Sequence, residues 1–329
     1  MTQTLDVSVV VVSFNTRDLL RECLRTLAAE AGGVTYETIV VDNASRDGSA
    51  DMVAHEFPDA VLLRSDVNLG FAAANNRGFA VARGRWVVLL NSDAFLRPGA
   101  LPRAVQHMQA DPAIGFGGAR LVGRDGAWQP SARAFPSCLN DLLTLSGLSS
   151  RYPRSHFFGR VDRTWADPDE AASVDWVPGA FGIVPRDLLE QVGYFDERFF
   201  LYYEEVDLCR RIKAAGRTVW YWPDVVVVHL GGESSKTVTS LTMSSAGAQL
   251  TLWRMRSELL YYRKHHGALG AHAAMDTEWT WHAARSLRHA RSVDPARHAK
   301  AEESQAILAL WRQAWRETDG GRVSPPRPW

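Results

Sequence analysis

Cysteine is scarce in this sequence, and Cys23, Cys138 and Cys209 stand far apart with no Cys-x-x-Cys pair. An odd, scattered set excludes a disulfide framework and a thiolate zinc centre, and it suits a reducing cytoplasm. Excess charge of either sign is missing too. The 329 residues hold 37 Lys/Arg and 37 Asp/Glu, so no nucleic-acid partner is expected, since binding a polyanion needs a basic excess. No apolar run approaches the ~20 residues of a membrane-spanning helix. Residues 1–6 carry no Lys or Arg and lead straight into a strand pattern, so no signal peptide is expected. Four glycine motifs are also absent. Without Gly-x-Gly-x-x-Gly after the first strand, a dinucleotide fold is disfavoured, and the missing Gly-x-x-x-x-Gly-Lys-Ser/Thr loop excludes a P-loop NTPase. No Gly-x-Ser-x-Gly elbow marks a serine hydrolase, and no glycine-rich nucleotidyltransferase loop follows the first strand.

What is present is ample apolar material, 46% of the chain, enough for a packed core. The neutral total also hides an asymmetry. Residues 250–329 carry 13 Lys/Arg against 8 Asp/Glu, a net of +5, so the preceding residues carry −5. Apolar runs at Val7–Val12, Thr38–Val41, Val61–Arg64 and Trp86–Leu90 predict strands. Helical spacing lies between them at Thr16–Ala29, Ala50–Glu56 and within Asn68–Ala82. This alternation predicts an α/β fold with a mainly parallel sheet flanked by helices. From Pro98 to about Val174 the pattern loosens into Gly/Pro-rich sequence with isolated aromatics. Regular signals return at Ala180–Val184, Arg186–Val192, Val206–Ala215 and Trp220–His229. Glu233–Ser240 reads as a mobile loop, and helical sequence follows at Ala248–Lys264, Ala271–Arg291 and Ala301–Arg316. The Pro/Arg-rich end, Ser324–Trp329, reads as frayed.

Ligands of open parallel sheets bind beyond the carboxyl ends of the strands. Those ends read Ser13-Phe14-Asn15, Asp42-Asn43-Ala44-Ser45 and Asn91-Ser92-Asp93. Each alone is ordinary turn and capping chemistry. Three on one rim point to a polar, metal-assisted ligand site.

These runs, with Asn68-Leu69-Gly70-Phe71-Ala72-Ala73-Ala74-Asn75-Asn76, Trp176-Val177-Pro178-Gly179-Ala180-Phe181 and Gly193-Tyr194-Phe195-Asp196-Glu197-Arg198-Phe199-Phe200, resemble the ordered motifs of family 2 glycosyltransferases with a GT-A fold. Tyr202-Tyr203-Glu204-Glu205-Val206-Asp207-Leu208-Cys209 and His229…Gly231-Gly232 extend the likeness. It is nearest the rhamnosyltransferase-like and galactofuranosyltransferase-like branch and covers roughly residues 7–235. The resemblance implies a catalytic domain over 1–235, with a nucleotide-sugar half to about residue 100 and an acceptor half over 101–235. A C-terminal helical region follows over 236–329. It implies that Ser13, Asn15, Asp42 and Asn43 grip the nucleobase and ribose. Asn68, Gly70, Asn75, Asn91, Ser92 and Asp93 would border the donor, and Trp176, Pro178 and Gly179 would close around its sugar.

The family's Asp-x-Asp is here Asn91-Ser92-Asp93, which leaves Asp93 as the implied metal ligand and His229 as its partner. An imidazole tilts the divalent cation from Mg²⁺ towards Mn²⁺. The resemblance also implies an inverting reaction whose base comes from the acids at the start of a helix. Glu205 stands where the family has Asp, so the order of preference is Glu205, then Glu204, then Asp207. Acids at a helix start also complement its dipole whatever the function. The implied partners are a nucleoside diphosphate sugar, dTDP-rhamnose first among them, and a glycan or polyprenyl-linked glycan acceptor of cell-surface polysaccharide synthesis. A non-catalytic nucleotide- or glycan-binding module on a degenerate scaffold is the alternative.

The tail adds one more reading. Leu252, Met255, Leu259 and Tyr262 fall at helical spacing beside Arg254, Arg256, Arg263 and Lys264. Such a helix can lie in an anionic membrane interface, at the inner face of the cell membrane. It can equally pack on the catalytic body or on a second copy in a homo-oligomer.

Overall fold

The computed structural model describes residues 5–231, 246–325 and 327. The loop expected at Glu233–Ser240, the boundary at 235/236 and half of the expected frayed end lie outside the described residues. The first half of the chain alternates as its pattern predicts: β1 (Val7–Ser13), α1 (Arg17–Glu30), β2 (Tyr36–Asn43), α2 (Ser49–Glu56), β3 (Val61–Ser65), α3 (Phe71–Val81), β4 (Trp86–Asn91). The spacing of Leu20, Cys23, Leu24 and Leu27 puts one buried stripe of α1 against the sheet. Strand β1 is buried along nearly its whole length because parallel neighbours and helices cover both its faces.

The loosely patterned middle is more regular than expected. It contains β5 (Ala94–Leu96), α4 (Ala100–Ala110), β6 (Ile114–Val122), β7 (Trp128–Gln129), α5 (Cys138–Leu145), α6 (Leu148–Arg151) and β8 (Ala172–Ser173). β6 escapes a propensity reading because glycines interrupt it, and glycine is a poor strand former. Here packing demands one of them: a Cβ at Gly117 would overlap the Trp222 ring. Then come β9 (Phe181–Pro185), α7 (Arg186–Val192), α8 (Glu204–Ala214) and β10 (Thr218–His229). The register of β10 on β6 shifts between Trp222 and Val226, a bulge that accommodates Pro223.

The main sheet runs β3-β2-β1-β4-β9-β6-β10-β5. Pairs β1–β2, β2–β3, β1–β4 and β6–β10 are parallel, whereas β9 runs antiparallel between β4 and β6. The result is a mixed, mainly parallel sheet with its first-half strand ends on one rim.

Helix α9 (Ala246–His289) is bent at Gly267, the break expected between two helices, and α10 (Pro295–Thr318) returns beside it. α10 begins well before its apolar stripe because Asp294 caps the Ala296 amide at 3.0 Å and Pro295 opens the first turn. The apolar face read at Leu252, Met255, Leu259 and Tyr262 is committed inside the protein, which corrects its reading as a lipid-facing stripe. Leu252, Met255 and Leu259 pack with Trp311 and Ala314 of α10, and Tyr262 joins Phe199 and Val206 of the body. Arg254 pairs with Glu258, and Arg256 with Glu317. Among the described residues no helix is long and apolar enough to cross a membrane.

Candidate active site

The ends of β2, β1 and β4 lie side by side, since Ser13 is opposite Asp42 and Val12 opposite Asn91. Hydrogen bonds lock this rim. The Ser13 and Thr16 hydroxyls share one at 3.1 Å, and Thr16 donates to Ser92 Oγ at 2.9 Å. Asn15, at φ 54, accepts from the Arg46 amide at 2.7 Å, and its own amide donates to Ser45 Oγ at 3.0 Å. Asp42 Oδ2 accepts from the Ser45 amide at 3.2 Å, while Oδ1 is buried without a hydrogen-bond partner. Burial raises the Asp42 pKa, and Ser45 pulls it back only partly. A buried acceptor left open at a strand end is suited to a ligand N–H.

The Asn68–Asn76 run works differently from expectation. Asn43 donates to Asn68 Oδ1 at 2.9 Å and accepts from the Leu69 amide at 2.8 Å. Asn75 donates to Phe71 O at 2.9 Å. Gly70 is at φ 84, and a Cβ there would lie 2.5 Å from the Phe200 carbonyl oxygen. Asn43 and Asn75, expected at the donor, thus brace this loop from within. Asn76, bonded to both the amide and the carbonyl of Phe195, and the Phe71 amide, donating to Phe200 O at 2.7 Å, hold it against the Phe195–Phe200 segment.

At the end of β4, His229 Nε2 is 3.5 Å from both Asp93 Oδ1 and Asn91 Nδ2. The antiparallel β5–β10 pair sets this meeting by placing His229 opposite Ala94. Asn91 Oδ1 is buried with no hydrogen-bond partner. Among the described residues no three His, Cys, Asp or Glu converge as a closed metal cage. One carboxylate, one imidazole and an open amide oxygen instead form a small donor set. It fits a hard divalent cation that takes its remaining oxygens from a ligand or water, with the imidazole favouring Mn²⁺ over Mg²⁺.

The acids of α8 reach the same rim through β9. The Asn91 amide donates to Ala180 O at 3.1 Å, and a Cβ on neighbouring Gly179 would sit 4.0 Å from Glu205 Cβ. Glu204 Oε2 and Glu205 Oε2 are both buried without hydrogen-bond partners. Burial, then the charge of Glu205, pushes the Glu204 pKa well above the ordinary range. Burial also raises Glu205, but its own amide, Arg133 and the Gly179 and Val206 amides counteract it. The groups that favour a charged carboxylate, Arg133 and the backbone amides, therefore gather at Glu205. Tyr202 and Tyr203, at φ 70 and 69, immediately precede the pair. Two consecutive left-handed non-glycine residues are costly, and such strain collects where geometry is functionally fixed.

Asp207 leaves the set of candidate bases. It is fully buried, with Arg211 Nε at 2.8 Å and both Lys264 Nζ and His265 Nε2 at 2.7 Å. Burial alone would raise its pKa; the His265 hydrogen bond, Arg211 and Lys264 together hold it below the ordinary value. It is a clamp between α8 and α9. Trp176 is likewise partly committed, its indole N–H donating to Ala134 O at 2.9 Å and its ring facing the Arg133 guanidinium at 5.2 Å. Pro178 and Gly179 form the run that leads into β9. Arg133, Lys264 and His265 were not foreseen as neighbours of the acids, because no local pattern marks partners brought in from distant elements.

Residues 8–169 match glycosyl transferase family 2. The chain is 30% identical over 232 residues to N-acetylglucosaminyl-diphospho-decaprenol L-rhamnosyltransferase of Mycobacterium tuberculosis, covering 67% of this chain and 75% of that relative. In fold it is similar to a mannosyltransferase from Pyrobaculum calidifontis in complex with GDP-Man and Mn²⁺, with a TM-score of 0.54 at 22% identity, covering 97% of this chain and 85% of that one. It is also similar to GalNAc-T7 with UDP, GalNAc and Mn²⁺, with a TM-score of 0.55 at 12% identity, covering 99% and 59%. The mixed sheet, the polar rim and these likenesses agree: the chain belongs to glycosyl transferase family 2 and is an inverting glycosyltransferase of GT-A fold.

Proposed function

We propose that this glycosyltransferase moves rhamnose from dTDP-rhamnose to a hydroxyl of a polyprenyl-linked glycan in cell-surface polysaccharide synthesis. The observation that carries the reading is the convergence of Asp93, His229 and the open Asn91 oxygen on a rim that also reaches Glu205 through Gly179. The rhamnose and the lipid-linked acceptor rest on the mycobacterial relative, whose name states that transfer.

In this reading Asp42 Oδ1 accepts from a nucleobase N–H, and the Ser13–Asn15 turn borders the ribose. Asp93 and His229, with Asn91, hold Mn²⁺ or Mg²⁺. When bound, such a cation neutralises charge that develops on the departing diphosphate. Glu205 takes the proton of the acceptor hydroxyl, whose oxygen bonds to the anomeric carbon as the bond to the diphosphate oxygen breaks. Glu204 is the more deeply buried of the two, and burial disfavours a second negative charge beside Glu205.

Membrane contact, if it draws on the C-terminal helices, moves to the α9–α10 turn. There Leu287 is largely and Val293 fully open to solvent among Arg288, Arg291, Arg297 and Lys300. A basic tip with exposed apolar side chains is suited to an anionic lipid surface.

Turnover and thermal shift with a panel of nucleotide sugars and Mn²⁺ test the assignment. The largest stabilisation and slow release of dTDP are expected with dTDP-rhamnose. A stronger response to another sugar overturns the rhamnose assignment, and no response to any member overturns the donor site.

A further inference from the structure

Away from the polar rim, a cavity of about 420 Å³ opens between β7, β8, β10 and the segment 156–171. Its size falls in the range of about 300–1,000 Å³ usual for small-molecule sites. Trp128 and Tyr221 line one side, and Trp165 lies stacked on His156 with ring centroids 3.9 Å apart on the other. Arg163 holds a left-handed backbone at φ 49 and sets its guanidinium 5.0 Å from the Trp165 ring. Three lining atoms are buried without a hydrogen bond: Trp128 Nε1, Arg163 Nε and Asp162 Oδ1. Asp162 Oδ1 makes an ion pair with Arg133 Nε at 3.3 Å. Buried polar atoms left open in a lined cavity call for a ligand that can satisfy them.

The lining selects the class of ligand. Asp162, Asp167 and Glu170 outnumber Arg163 and the Arg133 paired with Asp162, so the remaining excess is negative and disfavours a phosphate or a nucleotide. The rings of Trp128 and Tyr221 suit the C–H face of a pyranose, and carboxylates accept from its hydroxyls. The Trp165 ring, covered by His156 and Arg163, forms a wall beside them. The cavity is also tied to the reaction crevice at two points. Arg133 touches Asp162 on one side and acts on Glu205 on the other. Gln129, next to Trp128, donates to the His229 carbonyl at 3.0 Å.

We propose that this cavity is a subsite for a neutral pyranose unit of the acceptor glycan, beyond the sugar that carries the reacting hydroxyl. Its link to an acceptor rests on the glycosyl-transfer reading, but saccharide binding does not require donor or cation. It is therefore measured without either, so that its failure is distinct from a failure of transfer.

The full-length protein labelled with 5-fluorotryptophan is titrated with neutral disaccharides of rhamnose, glucose, galactose, mannose and N-acetylglucosamine. Trp128→Phe and Trp165→Phe assign the two resonances. Both signals are expected to shift saturably with at least one disaccharide. Trp165→Ala and, separately, Asp162→Asn should each weaken that binding about tenfold or more, with Mn²⁺-dependent dTDP binding retained as the mark of a folded protein. The proposal is overturned if neither resonance moves with any disaccharide, if both folded variants bind as tightly as the parent, or if dTDP alone moves the same two signals.

Discussion

Glu204 and Glu205 are adjacent, buried and alike in chemistry, yet their surroundings separate them. Glu205 has Arg133 and backbone amides to favour its charge, whereas Glu204 faces burial and its neighbour's charge. Glu205→Gln should therefore lose about two to four decades of rate, the usual worth of a general base, with nucleotide affinity intact by calorimetry. Glu204→Gln, which imitates a protonated acid, should lose only a small part of that. The pH profile carries a sign. A base with a raised pKa gains activity as pH rises through a value above the ordinary 4.5 of Glu, so rate falls on the acid side. Glu205→Gln should remove that limb. At the neighbouring rim, Asp93→Ala and His229→Ala should each weaken Mn²⁺-dependent nucleotide binding, read by titration; unchanged binding in both removes them as the cation's ligands. These residue types were legible, because acids, amides and a histidine stood at strand ends. Their division into base, brace and clamp was not, since Asp207 differs from Glu205 only through Arg211, Lys264 and His265.

Among the elements, those of the first hundred residues followed from pattern because each strand is short, apolar and followed by its own amphipathic helix. β6 did not, because its glycines answer to Trp222 and Val177 across the sheet and not to strand propensity. Gly117→Ala should cost about 1–3 kcal/mol or more, as overpacking does, visible as a lower thermal midpoint. The α8–α9 clamp makes a second demand. Asp207→Ala leaves Arg211, Lys264 and His265 facing an empty site, and removing one partner of a buried charge cluster costs about 3–5 kcal/mol. A denaturant midpoint close to the parent's would count against the clamp. Because the Asp207 pKa is lowered on folding, its contribution is present above its unfolded pKa and fades as pH falls through the folded one. Glu204, raised on folding, works in the opposite sense: its contribution is complete below the unfolded pKa and is lost as pH rises through the folded value.

At the scale of the whole molecule, the C-terminal helices are as much a support as an appendage. Ser257 donates to Leu201 O at 2.8 Å, Trp253 stacks on Phe200 at 4.2 Å, and Tyr261 lies 5.4 Å from Tyr203. α9 thereby braces the strained residues that lead into Glu204 and Glu205. What remains exposed is the basic turn between α9 and α10. Substituting Arg288 and Arg291 by Ser, together with Leu287 and Val293, should reduce co-sedimentation with vesicles rich in anionic phospholipid. Uncharged vesicles should show little binding by either protein, and turnover of a water-soluble acceptor should be unchanged. Equal sedimentation of parent and variant would remove that turn as the contact.

The sequence by itself determined the alternation of strands and helices, the polar rim and the family likeness, because each is written in short-range order: apolar period, turn residues, motif spacing. The −5 body and +5 tail of a neutral chain were equally legible. Only the tertiary structure decided where those charges are spent. It brings His229 to Asp93 across a strand pair, buries Asp207 among Arg211, Lys264 and His265, and turns the apolar face of α9 inward. Each of these depends on groups far apart in the chain being desolvated together, and burial and pairing are properties of the packed molecule that no local stretch of sequence contains.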